Sequence, residues 1–274
     1  MLSYGSLTEE QQTAVRDLVD HFHVWHRQTQ LPHYELLIRD VAERLAEPGP
    51  VTPDEVGYWS QVLNDNASRI GICNPFYGSS EILAGLTDEQ VTDIKQERQK
   101  FLKTRRAERR ARANEDQRTP EQRARANVKR IRRYASLAGL TLTSDQTRDL
   151  RETMLKQKRP GKPFGDVLDE WDASFFAMLD SRKEPKWDKR VTAYIDGRRQ
   201  AFRTWANETT PHNRALWEDY FVRATNSLSD EQREFLTNYL NGMASTLLAL
   251  SKDEPSFKKE EALTYQCKGL DVRS

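Results

Sequence analysis

One short phrase occurs four times in this chain: Leu, then Thr or Ser, two mostly acidic positions, then Gln. The copies are Leu7-Thr8-Glu9-Glu10-Gln11, Leu86-Thr87-Asp88-Glu89-Gln90, Leu142-Thr143-Ser144-Asp145-Gln146 and Leu228-Ser229-Asp230-Glu231-Gln232. Each opens a stretch of helical periodicity. The Thr or Ser hydroxyl at the N-cap accepts an otherwise orphaned N–H near the third helical residue. The Gln at that position reaches back to the N–H of the cap, which completes a capping box. The Leu acts as a hydrophobic staple, and the acidic pair favours the positive end of the helix dipole. Related starts stand at Thr52-Pro53-Asp54-Glu55, Thr119-Pro120-Glu121-Gln122 and Thr210-Pro211, with Pro at the first helical position. Seven helix starts are therefore expected.

The segments that follow carry apolar residues three and four apart. Examples are Val15, Leu18, Val19, Phe22 and Trp25, then Tyr34, Leu37, Ile38, Val41 and Leu45 after a break at Leu31-Pro32. The same spacing recurs in Trp187, Val191, Tyr194, Ile195, Phe202 and Trp205, and in Phe235, Leu236, Tyr239, Leu240, Met243, Leu247 and Leu250. There is no sustained period-two alternation, so the expected class is all-α. With 36% hydrophobic and 31% charged residues, each helix has a thin apolar stripe and a wide solvated face. That suits an elongated multi-helix bundle. The best breaker cluster, Lys158-Arg159-Pro160-Gly161-Lys162-Pro163, divides the chain into an N-terminal helical region (1–158) and an aromatic-rich C-terminal one (164–252), with a tail (253–274). One continuous domain is the alternative. No apolar run reaches the length of a membrane-spanning helix.

Charge is uneven although the formal total is +1. Residues 98–133 hold fifteen Lys or Arg and four acids, a local +11 that leaves −10 for the rest. They fall in an expected long basic helical hairpin, 91–135. Arg105, Arg106, Arg109, Arg110, Arg112, Arg130, Arg132 and Arg133 are the candidate contacts for a polyanion or acidic client, with Phe101 as an apolar grip. The bland alternative is a solvated hairpin facing acidic helices. No aromatic residue lies between Phe101 and Tyr134, so the stacking platforms that hold single-stranded nucleic acid are missing.

The two cysteines, Cys73 and Cys267, sit in loop-like settings rather than on apolar helix faces. A single disulfide between them is expected. It would contribute up to about 5 kcal/mol by loop closure and place the protein outside a reducing compartment. Two reduced thiols are the alternative. Four of five histidines cluster at His21, His23, His26 and His33. His23 and His26 stand three apart, but no zinc spacing accompanies them. No nucleophile elbow or phosphate-cradling Gly-rich loop occurs. No catalytic residue, metal ligand or cofactor is expected.

The run Phe22-His23-Val24-Trp25-His26-Arg27 with Leu31-Pro32-His33-Tyr34 resembles the opening of an uncharacterised family of Gram-negative helical lipoproteins. In that family a Trp-x-Arg segment precedes a Leu-Pro-x-Tyr turn, here Trp25, Arg27, Leu31, Pro32 and Tyr34. The basic hairpin and the aromatic C-terminal half are also similar to it. The resemblance implies an exported protein, periplasmic or held at the outer membrane by a lipidated N-terminal Cys. A weaker resemblance, carried by the Leu-Thr-x-x-Gln phrase, is to the periplasmic chaperones Spy and CpxP. The expected function is therefore non-enzymatic: a cell-envelope protein holding unfolded or acidic clients. The alternatives are an adaptor docking one envelope partner and a binder of nucleic acid, lipopolysaccharide or membrane phosphates.

Overall fold

The computed structural model describes residues 7–72, 79–116, 118–159, 161–208 and 210–252, and among them the regular structure is helical throughout. The order is α1 (Glu9–Trp25), a π-helical turn (His26–Gln30), α2 (Leu31–Ala46), α3 (Pro53–Ile72), α4 (Ser80–Ala84), α5 (Asp88–Asp116), α6 (Pro120–Leu137), α7 (Ser144–Lys156), α8 (Phe164–Asp180), α9 (Trp187–Asn207), α10 (Thr210–Asn226) and α11 (Asp230–Lys252). The expected Cys73–Cys267 disulfide lies outside the described residues.

Six of the seven expected starts form reciprocal boxes, at Thr8, Thr52, Thr87, Thr119, Thr143 and Ser229. Thr210 differs. It is already helical, and its hydroxyl donates to the Ala206 carbonyl instead of capping. Pro211 is therefore the second helical residue rather than the first.

The expected break at Leu31-Pro32 is also corrected. The chain passes from α1 to α2 as helix, through one π turn in which the Leu31 N–H donates to the His26 carbonyl. Pro32 has no N–H to give and would crowd an ordinary helix interior; the extra residue of the π turn accommodates it at the start of α2.

The four Leu-bearing boxes do more than cap. They meet in pairs. Gln11 and Gln90 exchange amide hydrogen bonds, Nε2 of Gln90 to Oε1 of Gln11 at 2.7 Å and the reverse at 3.3 Å. Gln146 and Gln232 do the same at 2.8 and 3.1 Å. Three of the four amides also bind the turn before the partner's cap: Gln11 donates to Gly85 O, Gln146 to Ser227 O and Gln232 to Thr141 O. The Pro-bearing boxes at Thr52 and Thr119 close on Glu55 and Gln122 instead, and neither joins a second box.

Each pair stands beside a stretch of apolar core. Beside Gln11–Gln90, Leu86 and Val91 pack with Leu179 of α8 and with Trp187, Val191 and Ile195 of α9. Buried Arg182 seals this end by donating to Leu86 O at 2.9 Å and to the Asp88 carboxylate. The second core joins Leu45, Val51 and Val56 to Val222 of α10, Leu228 of the turn that follows, and Leu236 and Leu240 of α11. Helices α2 and α11 run antiparallel: Arg27 Nε reaches Leu250 O at 2.9 Å, and Arg233 Nη1 reaches Leu45 O at 3.3 Å. The Asn226 amide clasps both backbone groups of Val51, at 2.8 and 2.9 Å. Across the Lys158–Pro163 break, the Asn213 amide clasps Lys158 in the same way.

Gly139 ends α6. It sits at φ +93°, with the Leu140 N–H donating back to Ala135 O, as in a Schellman closure. A Cβ there would meet the Phe235 ring of α11 at 2.9 Å. Replacing Gly139 by Ala therefore combines a disfavoured backbone with a clash, and should cost about 1–3 kcal/mol in urea unfolding. Gln146→Glu keeps the capping box but puts an acceptor-only carboxylate opposite Gln232. It should destabilise by about 1–3 kcal/mol, whereas Gln122→Glu, at an unpaired box, should be nearly neutral. Thermal melts of the two variants at neutral pH check this.

Candidate functional site

The basic segment does not behave as one surface. Its first part is neutralised by α8: Arg98 of α5 binds Asp172 through Nη2 at 2.8 and 2.6 Å, and Lys95 binds Asp180 at 2.5 Å. Lys100 pairs with Glu97 on its own helix. Here the acidic-helix reading holds.

On α6 it does not. Arg125, Lys129, Arg132 and Arg133 recur at four, seven and eight residues on one side of the helix, beside the buried stripe of Ala124 and Val128 that packs on α7. With Arg151 of α7 they line a groove of about 530 Å³. Val128, Leu140 and Leu142 supply its apolar surface, and Gly139 turns the chain so that Leu140-Thr141-Leu142 forms one rim. No acidic residue lines the groove. Among the described residues none of the five cations forms an ion pair, and the Nε–H of Arg151 is buried without an acceptor. Five like charges around a partly enclosed concavity raise the local positive potential and draw anions. Two exposed apolar side chains of α6 lie near the groove in sequence, Tyr134 (63% exposed) and Leu137 (73%).

The residues expected from sequence therefore separate. Arg132 and Arg133 are in the groove. Arg130 is off it and binds Asn127 Oδ1 at 3.2 Å. Phe101 is exposed but engaged, with the guanidinium carbons of Arg98 and Arg105 at 4.8 and 5.1 Å from its ring centroid. The side chains of Arg106, Arg109, Arg110 and Arg112 lie outside those described. Sequence reading missed Arg125 and Lys129, although their helical spacing from Arg132 and Arg133 was there to use. It also missed Arg151, which no local pattern connects to α6.

The histidines surround the π turn. His26 packs with Phe22 and Tyr34, ring centroids 6.1 and 6.0 Å away, and His33 Nε2 stands 3.0 Å from Arg69 Nη1. Among the described residues no group of three or more His, Cys, Asp or Glu side chains is arranged to hold a metal. Burial, aided by His23, lowers the pKa of His26 below its ordinary 6.5. Burial, aided by Arg69, does the same for His33. In the folded state both resist protonation, while the unfolded chain takes up protons as pH falls through 6.5. Their contribution is thus complete above pH 6.5 and declines below it. The carboxylates whose pKa values are lowered, such as Asp88 and Glu55, lose theirs only below about pH 4.5. Melting temperature should therefore fall between pH 7 and pH 5, and His26→Gln should flatten that fall.

No curated protein and no solved structure matches the chain. A family model described as a family of unknown function, DUF6279, matches residues 3–208, from the first paired box to the end of α9. With the π-turn aromatics, the Gln11–Gln90 pair and the cationic groove all inside that span, the chain belongs to the DUF6279 family.

Proposed function

We propose that this is a non-enzymatic binding protein of the cell envelope, and that the groove between α6 and α7 is where it holds acidic segments of client proteins. The observation that carries the reading is a groove lined by five cations that have no ion-pair partner among the described residues, beside the apolar Val128, Leu140 and Leu142. Acidic side chains would supply the missing counter-charges, and neighbouring apolar side chains would cover Val128, Leu140 and Leu142. Tyr134 and Leu137 extend the apolar contact beyond the groove. Such a surface recognises a composition rather than a sequence, which suits a holdase.

Two features support binding over other roles. The groove has no carboxylate, His, Cys or Tyr in its lining, so it lacks the groups that transfer protons near neutral pH. It also has no aromatic ring on which a nucleobase would stack. Placement in the envelope rests on the opening segment's resemblance to exported lipoproteins and on the expected disulfide.

The test compares aggregation of two unrelated acidic clients and one basic client, with and without the protein. Suppression is expected for the acidic pair and should weaken as salt is raised from 50 to about 300 mM. Lys129, Arg132 and Arg133 are exposed, so the triple variant to Glu should fold normally yet lose at least about tenfold in client affinity. Protection of one client alone would mark an adaptor. Tight, salt-sensitive binding of duplex DNA with no client protection would move the groove to nucleic acid.

A further inference from the structure

A second cavity lies on the other core. It has a volume of about 460 Å³ and opens between the first turns of α5 and the facing sides of α8 and α9. Its two ends differ in chemistry. One is apolar, walled by Leu83, Ile94, Phe175, Phe176 and Met178. The Phe175 and Phe176 rings already meet edge-to-face, 5.6 Å between centroids, so they offer a wall rather than a stacking slot.

The other end is polar and carries one cation more than its acids balance. Arg98 and Asp172 neutralise each other through three hydrogen bonds of 2.6–3.1 Å. Arg199 is paired with Asp196 at 3.6 Å. Among the described residues Arg198 forms no ion pair; its guanidinium carbon lies 4.7 Å from the Trp171 ring centroid. Beside it the Tyr194 hydroxyl donates to Trp171 O at 3.0 Å, which fixes that ring against the polar wall. A mostly apolar cavity of a few hundred Å³ with a few convergent polar groups at one end is the form of a small-molecule site.

We propose that this cavity binds an amphipathic monoanion, an aliphatic chain ending in a carboxylate, with the carboxylate on Arg198 and the chain along Phe175, Phe176 and Ile94. The single unbalanced cation sets the charge of the head, and the length of apolar wall sets the nature of the tail. A neutral chain would leave Arg198 without a counter-charge. A free phosphate or short acid would leave the apolar wall uncovered. The site does not depend on the α6–α7 groove, whose lining holds five cations and no acid.

The experiment is calorimetric titration of the full chain with dodecanoate below its micellar range, and with dodecanol at the same concentrations. Saturable binding of dodecanoate at one site is expected, with dodecanol at least about tenfold weaker. Arg198 is exposed, so Arg198→Met should fold normally and lose about tenfold or more, while Arg198→Lys keeps part of the affinity. Photo-crosslinking of the unsubstituted protein with a diazirine-bearing dodecanoate should label α8 and α9. The proposal is overturned if dodecanol binds as tightly as dodecanoate, if Arg198→Met changes nothing, or if no saturable binding occurs. It is equally overturned if binding is lost in the Lys129, Arg132 and Arg133 triple variant, since the carboxylate then sits in the other groove.

Discussion

The interaction on which the helix arrangement depends is an amide meeting an amide. The Gln146 and Gln232 side chains are satisfied at all four hydrogen-bonding positions. Oε1 of each accepts from its own cap and from its partner, and Nε2 of each donates to its partner and to a carbonyl before the partner's cap. Gln11 is satisfied in the same way. A carboxylate would close the capping box equally well, because that task needs only an acceptor. It could not donate across the pair, and two carboxylates so placed would repel. This accounts for the Gln of the four boxes that pair, although the unpaired box at Thr119 also carries one, Gln122. Glu55, whose box stands alone, is free to be acidic and binds Arg44 at 2.5 Å. The four boxes that must join another box all carry Gln.

With the helix starts joined two by two, charge decides which remaining surfaces are structural and which are open. Acids on α8 take up the cations at the beginning of α5, and Asp149 and Asp219 take up Arg223 between α7 and α10. Among the described residues the α6 cations receive no such partners, although they belong to the same basic stretch of sequence. Exposed ion pairs contribute little to stability. The contrast therefore matters less for the fold than for the field, which is left positive on one side of the molecule.

Much of the fold was legible. Hydroxyl, acid and Gln spacing marks six helix starts to the residue, because a capping box is a local device whose geometry is written within four positions. The pairing of boxes was not legible, since the partners stand 79 and 86 residues apart and nothing in either copy names the other. The π turn failed for a related reason: Pro32 reads as a stop, and only the neighbouring helices show that one extra residue resolves it. In the groove, Arg132 and Arg133 were visible as charge, whereas Arg151 became part of the site only because Ala124 and Val128 bring α6 onto α7. Arg130 looked equivalent to its neighbours until helical phase turned it away.

The family match ends at residue 208, while the amide that completes Gln146 belongs to Gln232. The two pairs thus have different histories open to them. The first lies wholly inside the shared span and can be inherited as a unit. The second joins the matched span to α11, so a chain of the family that lacked α11 would leave Gln146 without its amide partner. Substitution at positions 146 and 232 should then track together across relatives that carry both, and position 146 alone should drift in those that do not.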